Sequence, residues 1–342
     1  MKLKRAMDYF LKGYSYFHRK GRCAGYPELY AVEVTNHCLF DCEMCPRRDM
    51  KRPKGHMDFK LFKKVIDQTR GFTEWLWLHD FGDPLLHPEI GRFIKYAREK
   101  GIKTRLSTNP ISITEKKAKE FIEAGLDFIH ISLDGIDEKT YKFLRGKTAD
   151  YKKSVENIER FLALRKKLGK KSPIIRMGII RMKKTEDAVE EFKKFWLKKG
   201  VDQVEIKDFR TWDGSVKRII GLAGEENLSK EFKDTRIRVC RQPWLHVVVL
   251  WDGLVVPCCS DFDAKYIIGD LKQESLASIW NNENMLKLRQ QQIANDFEGN
   301  RLCVTCREKE GMPPSKLYPF NWFVIKTILI TFYYHIRGFL RK

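Results

Sequence analysis

Acidic side chains are in short supply in this 342-residue chain: 45 Asp and Glu face 66 Lys and Arg, for a formal net charge of +21. Such a surface field favours phosphate groups, nucleic acid or acidic lipid headgroups, without choosing among them. No cleavable signal peptide is recognisable, so the expected compartment is the reducing cytoplasm, where nine cysteines serve metal rather than disulfides. A clean membrane span is missing too. The apolar stretch 317–334 is borderline in length and carries Lys326 near its middle, a charge costing about 2.5–3.5 kcal/mol at a bilayer centre. An interfacial attachment at the inner face of the membrane, or packing on protein, suits the same residues better. What the chain does have is 43% hydrophobic residues, enough for one large domain and a smaller one.

The cysteines stand at positions 23, 38, 42, 45, 240, 258, 259, 303 and 306. Cys38, Cys42 and Cys45 crowd onto one loop directly after a strand-like run at 30–35. A closed zinc site asks for four ligands, usually as two separated pairs, whereas three thiolates on one loop suit a cubane cluster with one iron left open. A zinc knuckle is the alternative on these residues alone.

From residue 30 to about 209, short β-branched or aromatic runs alternate with segments of helical periodicity. Strands are expected near 30–35, 74–79, 102–107, 128–133, 174–180 and 202–206, and helices near 58–70, 88–100, 114–124, 137–167 in pieces, and 185–199. Repeated β-α units imply a parallel sheet with right-handed crossovers, and six of them fit an open partial barrel or a doubly wound sheet equally well. Sites in such sheets lie at the carboxyl ends of the strands. There stand His79-Asp80-Phe81-Gly82-Asp83-Pro84, Ser107-Thr108-Asn109, the run Ile129 to Gly135 with Arg145-Gly146 beyond it, and Glu205, Lys207 and Arg210. By themselves these segments also read as tight turns and a helix-capping arginine.

A second constellation follows a charged, glycine-containing linker. Cys240 is followed by the hairpin turn Trp251-Asp252-Gly253, the pair Cys258-Cys259, a helix near 275–292, and Cys303-x2-Cys306. Four of these thiols would equally suit a zinc ribbon.

The strand followed by C-x3-C-x2-C, with Thr35-Asn36-His37 before it and Cys45-Pro46-Arg47 at its end, resembles the cluster loop of the radical S-adenosylmethionine (radical SAM) superfamily. The second constellation resembles that superfamily's SPASM domain in its shortened twitch form. The resemblance implies an α/β fold, a partial (β/α)6 barrel with a small C-terminal hairpin-plus-helix domain. It implies a [4Fe-4S] cluster on Cys38, Cys42 and Cys45 whose open iron takes the amino and carboxylate groups of SAM. Gly82, Asp83 and Pro84 are similar to the family's Gly-Gly-Glu-Pro segment, with Phe81 and Asp83 as departures, and Asn109 to its Thr-Asn-Gly, with Pro110 as the departure. Ser132 and Arg145 are implied to contact the ribose or carboxylate of SAM, with Asp134 nearby, and apolar residues of 173–182 to hold the adenine. An auxiliary [4Fe-4S] cluster is implied on Cys240, Cys258, Cys303 and Cys306, with Cys259 spare or exchanging with Cys258.

The expected layout is a basic amphipathic helix in 1–28, the barrel in 29–211, a linker in 212–238, the auxiliary domain in 239–312 and an apolar, basic-ended tail in 313–342. Leu3, Met7, Phe10, Tyr14 and Phe17 form one stripe of the first helix, which packs on the body or lies on an acidic membrane surface. The implied reaction is reductive cleavage of SAM to a 5′-deoxyadenosyl radical, fed by an electron donor such as flavodoxin or ferredoxin. The single auxiliary cluster resembles that of a cyclitol dehydrogenase, so the expected outcome is oxidation of an alcohol carbon of a sugar-like, cyclitol or lipid-linked polar substrate. Modification of a peptide is the alternative within the family; a zinc protein binding nucleic acid is the alternative outside it. No catalytic residue for the substrate step is readable from the pattern.

Overall fold

The computed structural model describes residues 2–222, 239–306 and 311–312, so the expectations for the tail at 313–342 and for most of the linker lie outside the described residues. Six parallel strands form the body: β1 (Glu28–Val32), β2 (Trp75–Trp77), β3 (Lys103–Thr108), β4 (Phe128–Ser132), β5 (Ile174–Arg181) and β6 (Gln203–Asp208). Helices α1 (Lys2–Phe17), α2 (Phe59–Thr69), α3 (Ile90–Glu99), α4 (Glu115–Ala124), α5 (Glu138–Arg145), α6 (Tyr151–Lys167) and α7 (Val189–Lys199) complete the crossovers and the N-terminal extension. The mixed α/β fold agrees with the sequence reading, and the barrel's element bounds shift by a few residues at most, whereas the N-terminal helix expected in 1–28 ends at Phe17 and the helix expected near 275–292 is two, Leu276–Trp280 and Glu283–Ala294.

Strand periodicity explains the two faces. Leu76, Leu106, Ile129, Ile131, Ile175, Met177 and Ile179 are buried beneath the helices. Their alternates Trp77, Arg105, Ser107, His130, Ser132 and Gly178 fall on the concave side. Side chains cap the helices over the sheet: Asp58 accepts from Lys60 N at 2.7 Å, and Asp137 accepts from Thr140 N at 2.8 Å.

The C-terminal hairpin extends the barrel sheet instead of standing apart as a small one. Strands β8 (His246–Val249), β9 (Leu254–Val256) and β10 (Gly269–Asp270) join it beside β1, giving the nine-strand order β10-β9-β8-β1-β2-β3-β4-β5-β6. Val247, Val248 and Val249 are all fully buried, so this strand needs cover on both faces, which an isolated hairpin does not provide.

Helix α1 is turned the other way from a simple amphipathic helix. Leu3 and Met7 are 50% exposed and Tyr14 40%, while Asp8, Lys12, Ser15 and Tyr16 are buried. The inward polar face is satisfied: Lys12 pairs with Asp8 at 2.9 Å, Tyr26 N donates to Asp8 at 2.5 Å and Ala24 N donates to Ser15 Oγ at 2.9 Å. Loop backbone at 24–26 needs acceptors, and that need outweighs the apolar stripe. Among the described residues no helix is long and apolar enough to cross a membrane.

Candidate active site

Beyond β1 the chain makes a closed loop. Thr35 Oγ1 donates to Gly55 O at 2.8 Å, Asn36 Nδ2 to Pro53 O at 2.9 Å, and Gly55 N returns a bond to Asn36 Oδ1 at 2.9 Å. On this loop sit Cys38, Cys42 and Cys45, all free thiols. Burial, with the nearby Asp83 for Cys38 and the nearby Cys42 for Cys45, pushes Cys38 up to about 11 and Cys45 up to about 12. Three adjacent buried thiols that resist ionisation are relieved by a cationic iron centre, which takes them as thiolates. Among the described residues no three His, Cys, Asp or Glu side chains converge as ligands of a single ion. A cubane asks for wider spacing, because each thiolate takes a different iron. Three free thiols on one loop, two of them with side-chain donors to sulfur, are a donor set of the kind a [4Fe-4S] cluster takes.

Two of the three sulfurs receive side-chain donors. Asn109 Nδ2 lies 3.4 Å from Cys38 Sγ, and Arg145 Nη1 lies 3.6 Å from Cys42 Sγ. Asp134 is fully buried, pairs with Arg145 and accepts from Ile180 N at 2.7 Å. The structure thus gathers Asn109, Asp134 and Arg145 behind the cysteine loop. Gly82 packs on that loop directly: a Cβ there would lie 2.5 Å from Thr35 O. Pro84 opens the short 3-10 turn Pro84–Leu86.

Asp83 is held between two loops. Its carboxylate accepts from Thr108 Oγ1 at 2.6 Å, Leu85 N at 3.1 Å and Ser112 Oγ at 2.5 Å, with Asn109 Nδ2 at 3.4 Å. Both oxygens staple the loops after β2 and β3. Of the apolar run at 173–182, Ile175, Met177 and Ile179 are buried under the helices, leaving Ile180 and Gly178 toward the concave side.

Sequence reasoning missed a polar row inside the barrel. His130 Nδ1 lies 3.3 Å from both Ser107 Oγ and Ser132 Oγ, and its Nε2 lies 3.4 Å from Glu205 Oε2. Nδ1 is turned to the two hydroxyls, while Nε2, buried and without a hydrogen bond among the described residues, has the Glu205 carboxylate beside it. Burial lowers His130 to about 4. The neighbouring His130 ring lowers Glu205 to about 2, with Lys207 adding to the effect. His79 Nδ1 accepts from Ser107 N at 3.1 Å, so its Nε2 carries hydrogen; burial lowers this ring to about 3. The signal was available: on β4, Phe128, His130 and Ser132 alternate with Ile129, Ile131 and Leu133.

Gly178 makes room for this row. A Cβ there would lie 2.1 Å from His130 Nε2, so Gly178→Ala is expected to displace the ring and destabilise the fold by about 1–3 kcal/mol, read by chemical denaturation. An unchanged midpoint would mean that the ring does not sit there.

In the C-terminal region, Cys240 lies on β7 (Val239–Cys240), which pairs with β11 (Gly311–Met312). Gln292, on the helix Glu283–Ala294, accepts from Cys240 N at 3.2 Å and donates to Cys303 Sγ at 3.3 Å, while Cys306 N donates to Cys303 O at 3.3 Å. Cys258 Sγ accepts from Ser260 N at 3.2 Å, and its charge acts on Asp80 at the end of β2. Cys259 packs with Ala31, Val248, Leu250 and Val256 on the concave face. The two adjacent thiols thus have different surroundings.

Comparison with known proteins gives two family matches: the radical SAM superfamily over residues 32–195, and an iron-sulfur cluster-binding domain, SPASM, over residues 240–307. The chain is 26% identical over 291 residues to the tungsten-containing aldehyde ferredoxin oxidoreductase cofactor-modifying protein of Pyrococcus furiosus, covering 74% of this chain and 80% of that one. Among solved structures it resembles BtrN in complex with AdoMet and 2-DOIA, with a TM-score of 0.52 at 19% identity, over 85% of this chain and 97% of the other. It also resembles anSMEcpe with bound AdoMet and Kp18Cys peptide, with a TM-score of 0.60 at 14% identity, over 91% and 98%. At these identities the structural likenesses speak for the fold alone.

Proposed function

This chain belongs to the radical SAM superfamily and carries a SPASM iron-sulfur domain, and from that premise we propose that it oxidises an alcohol carbon of a sugar-like, cyclitol or lipid-linked polar substrate. Its cofactors are S-adenosylmethionine and [4Fe-4S] clusters, one of them auxiliary. Cys38, Cys42 and Cys45 hold the first cluster; Cys240, Cys258, Cys303 and Cys306 hold the second, with Cys259 facing the chamber. When bound, these groups supply a 5′-deoxyadenosyl radical that takes the carbon-bound hydrogen and an acceptor for the electron left behind. Gly82 and Pro84 shape the loop against which SAM lies, and Ser132 borders it.

The observation that carries this reading is the row Glu205, His130, Ser132. Turning a carbinol into a carbonyl releases a hydrogen atom, an electron and the hydroxyl proton. Ser132 passes that proton to His130 Nδ1, and the Glu205 carboxylate, 3.4 Å from Nε2, stabilises the charge that the ring then gains. His79 presents Nε2–H as a fixed neutral donor to the substrate oxygen. With His130 near 4, the acceptor is neutral at pH 7, and turnover falls as the pH drops through that value.

The test is anaerobic incubation with deuterated candidate alcohols, following label into 5′-deoxyadenosine and carbonyl product. His130→Gln is expected to lower product formed per 5′-deoxyadenosine by roughly 10²–10⁴-fold. In Glu205→Gln the acid limb moves to lower pH, because Glu205 holds the His130 pKa up against burial. Label arriving from a carbon without a hydroxyl, or unchanged product yield in both variants, would count against the proposal.

A one-electron donor such as flavodoxin or ferredoxin is the proposed partner, and the cytoplasm the proposed place. The exposed Leu3, Met7 and Tyr14 with Lys4 suit contact with an acidic membrane surface. Co-sedimentation with anionic vesicles that Leu3→Glu and Met7→Glu leave unchanged would remove that contact.

A further inference from the structure

The concave face holds a cation that the proton path leaves unused. One inward-facing residue closer to the N-terminal ends of the strands than His79, Ser107 and His130, the residues Trp77, Arg105 and Phe128 stand in register. Arg105 Cζ lies 4.8 Å from the Trp77 ring centre and 5.3 Å from that of Trp75. Its Nε is buried without a hydrogen-bond partner, and among the described residues no carboxylate pairs with its guanidinium.

The surrounding charges do not supply the missing partner. Arg176 lies over Phe128 at 4.7 Å and is engaged by Gln203 at 2.6 Å and Glu205 at 3.4 Å, so it repels Arg105. Glu28, the acid acting on Arg105 from a distance, accepts from Tyr9 Oη at 2.6 Å. Burial pulls the guanidinium pKa down, with Arg176 adding to the effect. A half-buried cation without a counter-ion is costly, and in folded proteins such charges are paired or bind a ligand. The planar fork, seated on two indoles with Nε unpaired, matches a carboxylate or phosphate.

We propose that Arg105, seated on Trp75 and Trp77, is an anion anchor for the substrate, taking a phosphate or carboxylate group at the floor of the chamber. The proposal rests on the chamber being the substrate site, and it defines the substrate's shape. Asn109, whose amide touches Cys38, is the first residue beyond β3 and lies four residues after Arg105, about 13 Å at roughly 3.3 Å per extended residue. The charged group and the reacting carbon therefore lie at opposite ends of an elongated molecule. A small uncharged cyclitol would leave the floor empty.

The test is calorimetric titration of the anaerobically reconstituted protein with phenyl phosphate, benzoate and uncharged benzyl alcohol. Wild type is expected to bind one or both anions at one site and to bind benzyl alcohol at least tenfold more weakly; the preferred anion separates phosphate from carboxylate. Arg105→Gln should weaken anion binding at least tenfold, and Arg105→Lys by less, since the charge remains while the fork is lost. Visible cluster absorbance equal to wild type shows that each variant is folded. The other basic cleft, about 700 Å³ on the outer rim and lined by Lys95, Arg98, Lys170 and Lys171, is the control, and Lys170→Gln with Lys171→Gln should bind as wild type does. Binding unchanged in Arg105→Gln, binding lost in the rim variant, equal binding of benzyl alcohol, or no binding of either anion would each overturn the proposal. None of these readouts uses SAM cleavage or alcohol oxidation, so failure here is distinct from failure of the proposed reaction.

Discussion

Cys38→Ala is expected to abolish 5′-deoxyadenosine formation and to lower the iron content of reconstituted protein from about eight to about four per chain. With one of the three loop thiols gone, the remaining two cannot hold a cubane with a single open iron. Asn109, which donates to Cys38 at 3.4 Å, then loses its sulfur acceptor, yet Asp83 still holds it, so the loops after β2 and β3 keep their shape. The variant should therefore fold and lose function selectively. Cys303→Ala is the counterpart: some uncoupled SAM cleavage survives, while completed turnover stops. Iron analysis, EPR and quantified 5′-deoxyadenosine separate the two outcomes. Equal cleavage by wild type and Cys38→Ala would refute the assignment of the first cluster.

Arg52→Met is expected to destabilise the protein by about 3–5 kcal/mol, the cost of leaving a buried acid without its partner. Glu33 is fully buried and Arg52 nearly so; the two form a bidentate pair, one arm at 2.7 Å. Glu33 also accepts from Phe81 N at 3.3 Å and Trp251 N at 3.5 Å, while Arg52 Nε donates to Phe262 O at 2.8 Å. The pair thus ties the end of β1, the loop after β2, the cysteine loop and the C-terminal hairpin at one point. Burial pushes the Glu33 carboxyl up against the pull of Arg52, and removing Arg52 raises it further. An acid whose folded pKa lies above its unfolded value favours the folded state most when protonated, so the deficit of Arg52→Met should shrink as the pH falls. Denaturation midpoints at pH 8 and pH 5.5 read this directly; a larger deficit at pH 5.5 would contradict it.

The parts of the fold legible in the sequence follow from local pattern. Ile129, Ile131 and Leu133 alternate with Phe128, His130 and Ser132, which marks a strand with one face under helices and one face over a chamber. The cysteine spacings mark the two regions whose thiols are proposed to hold clusters. Long-range contacts decided the rest. The hairpin at 246–256 reads as a unit of its own until Val247 and Val249 need cover on the second face, which the barrel sheet provides. Helix α1 reads as apolar-side-in, but loop backbone at 24–26 takes its polar side instead. Asp83 resembles a ligand contact by motif, while Thr108 and Ser112, distant in sequence, donate to its oxygens. His130 and Arg105 were visible as residues but not as a buried ring beside Glu205 or a cation lacking a carboxylate, because both properties depend on other strands.

Everything proposed here depends on an iron at the Cys38, Cys42 and Cys45 loop with one coordination face free for SAM. The most direct measurement is pulsed EPR of the dithionite-reduced, anaerobically reconstituted protein with SAM labelled with 15N on its amino group and 17O on its carboxylate. Hyperfine coupling from both labels in wild type, absent in Cys38→Ala, is the expected result. A colourless protein, or a cluster signal that SAM leaves unchanged, would contradict it.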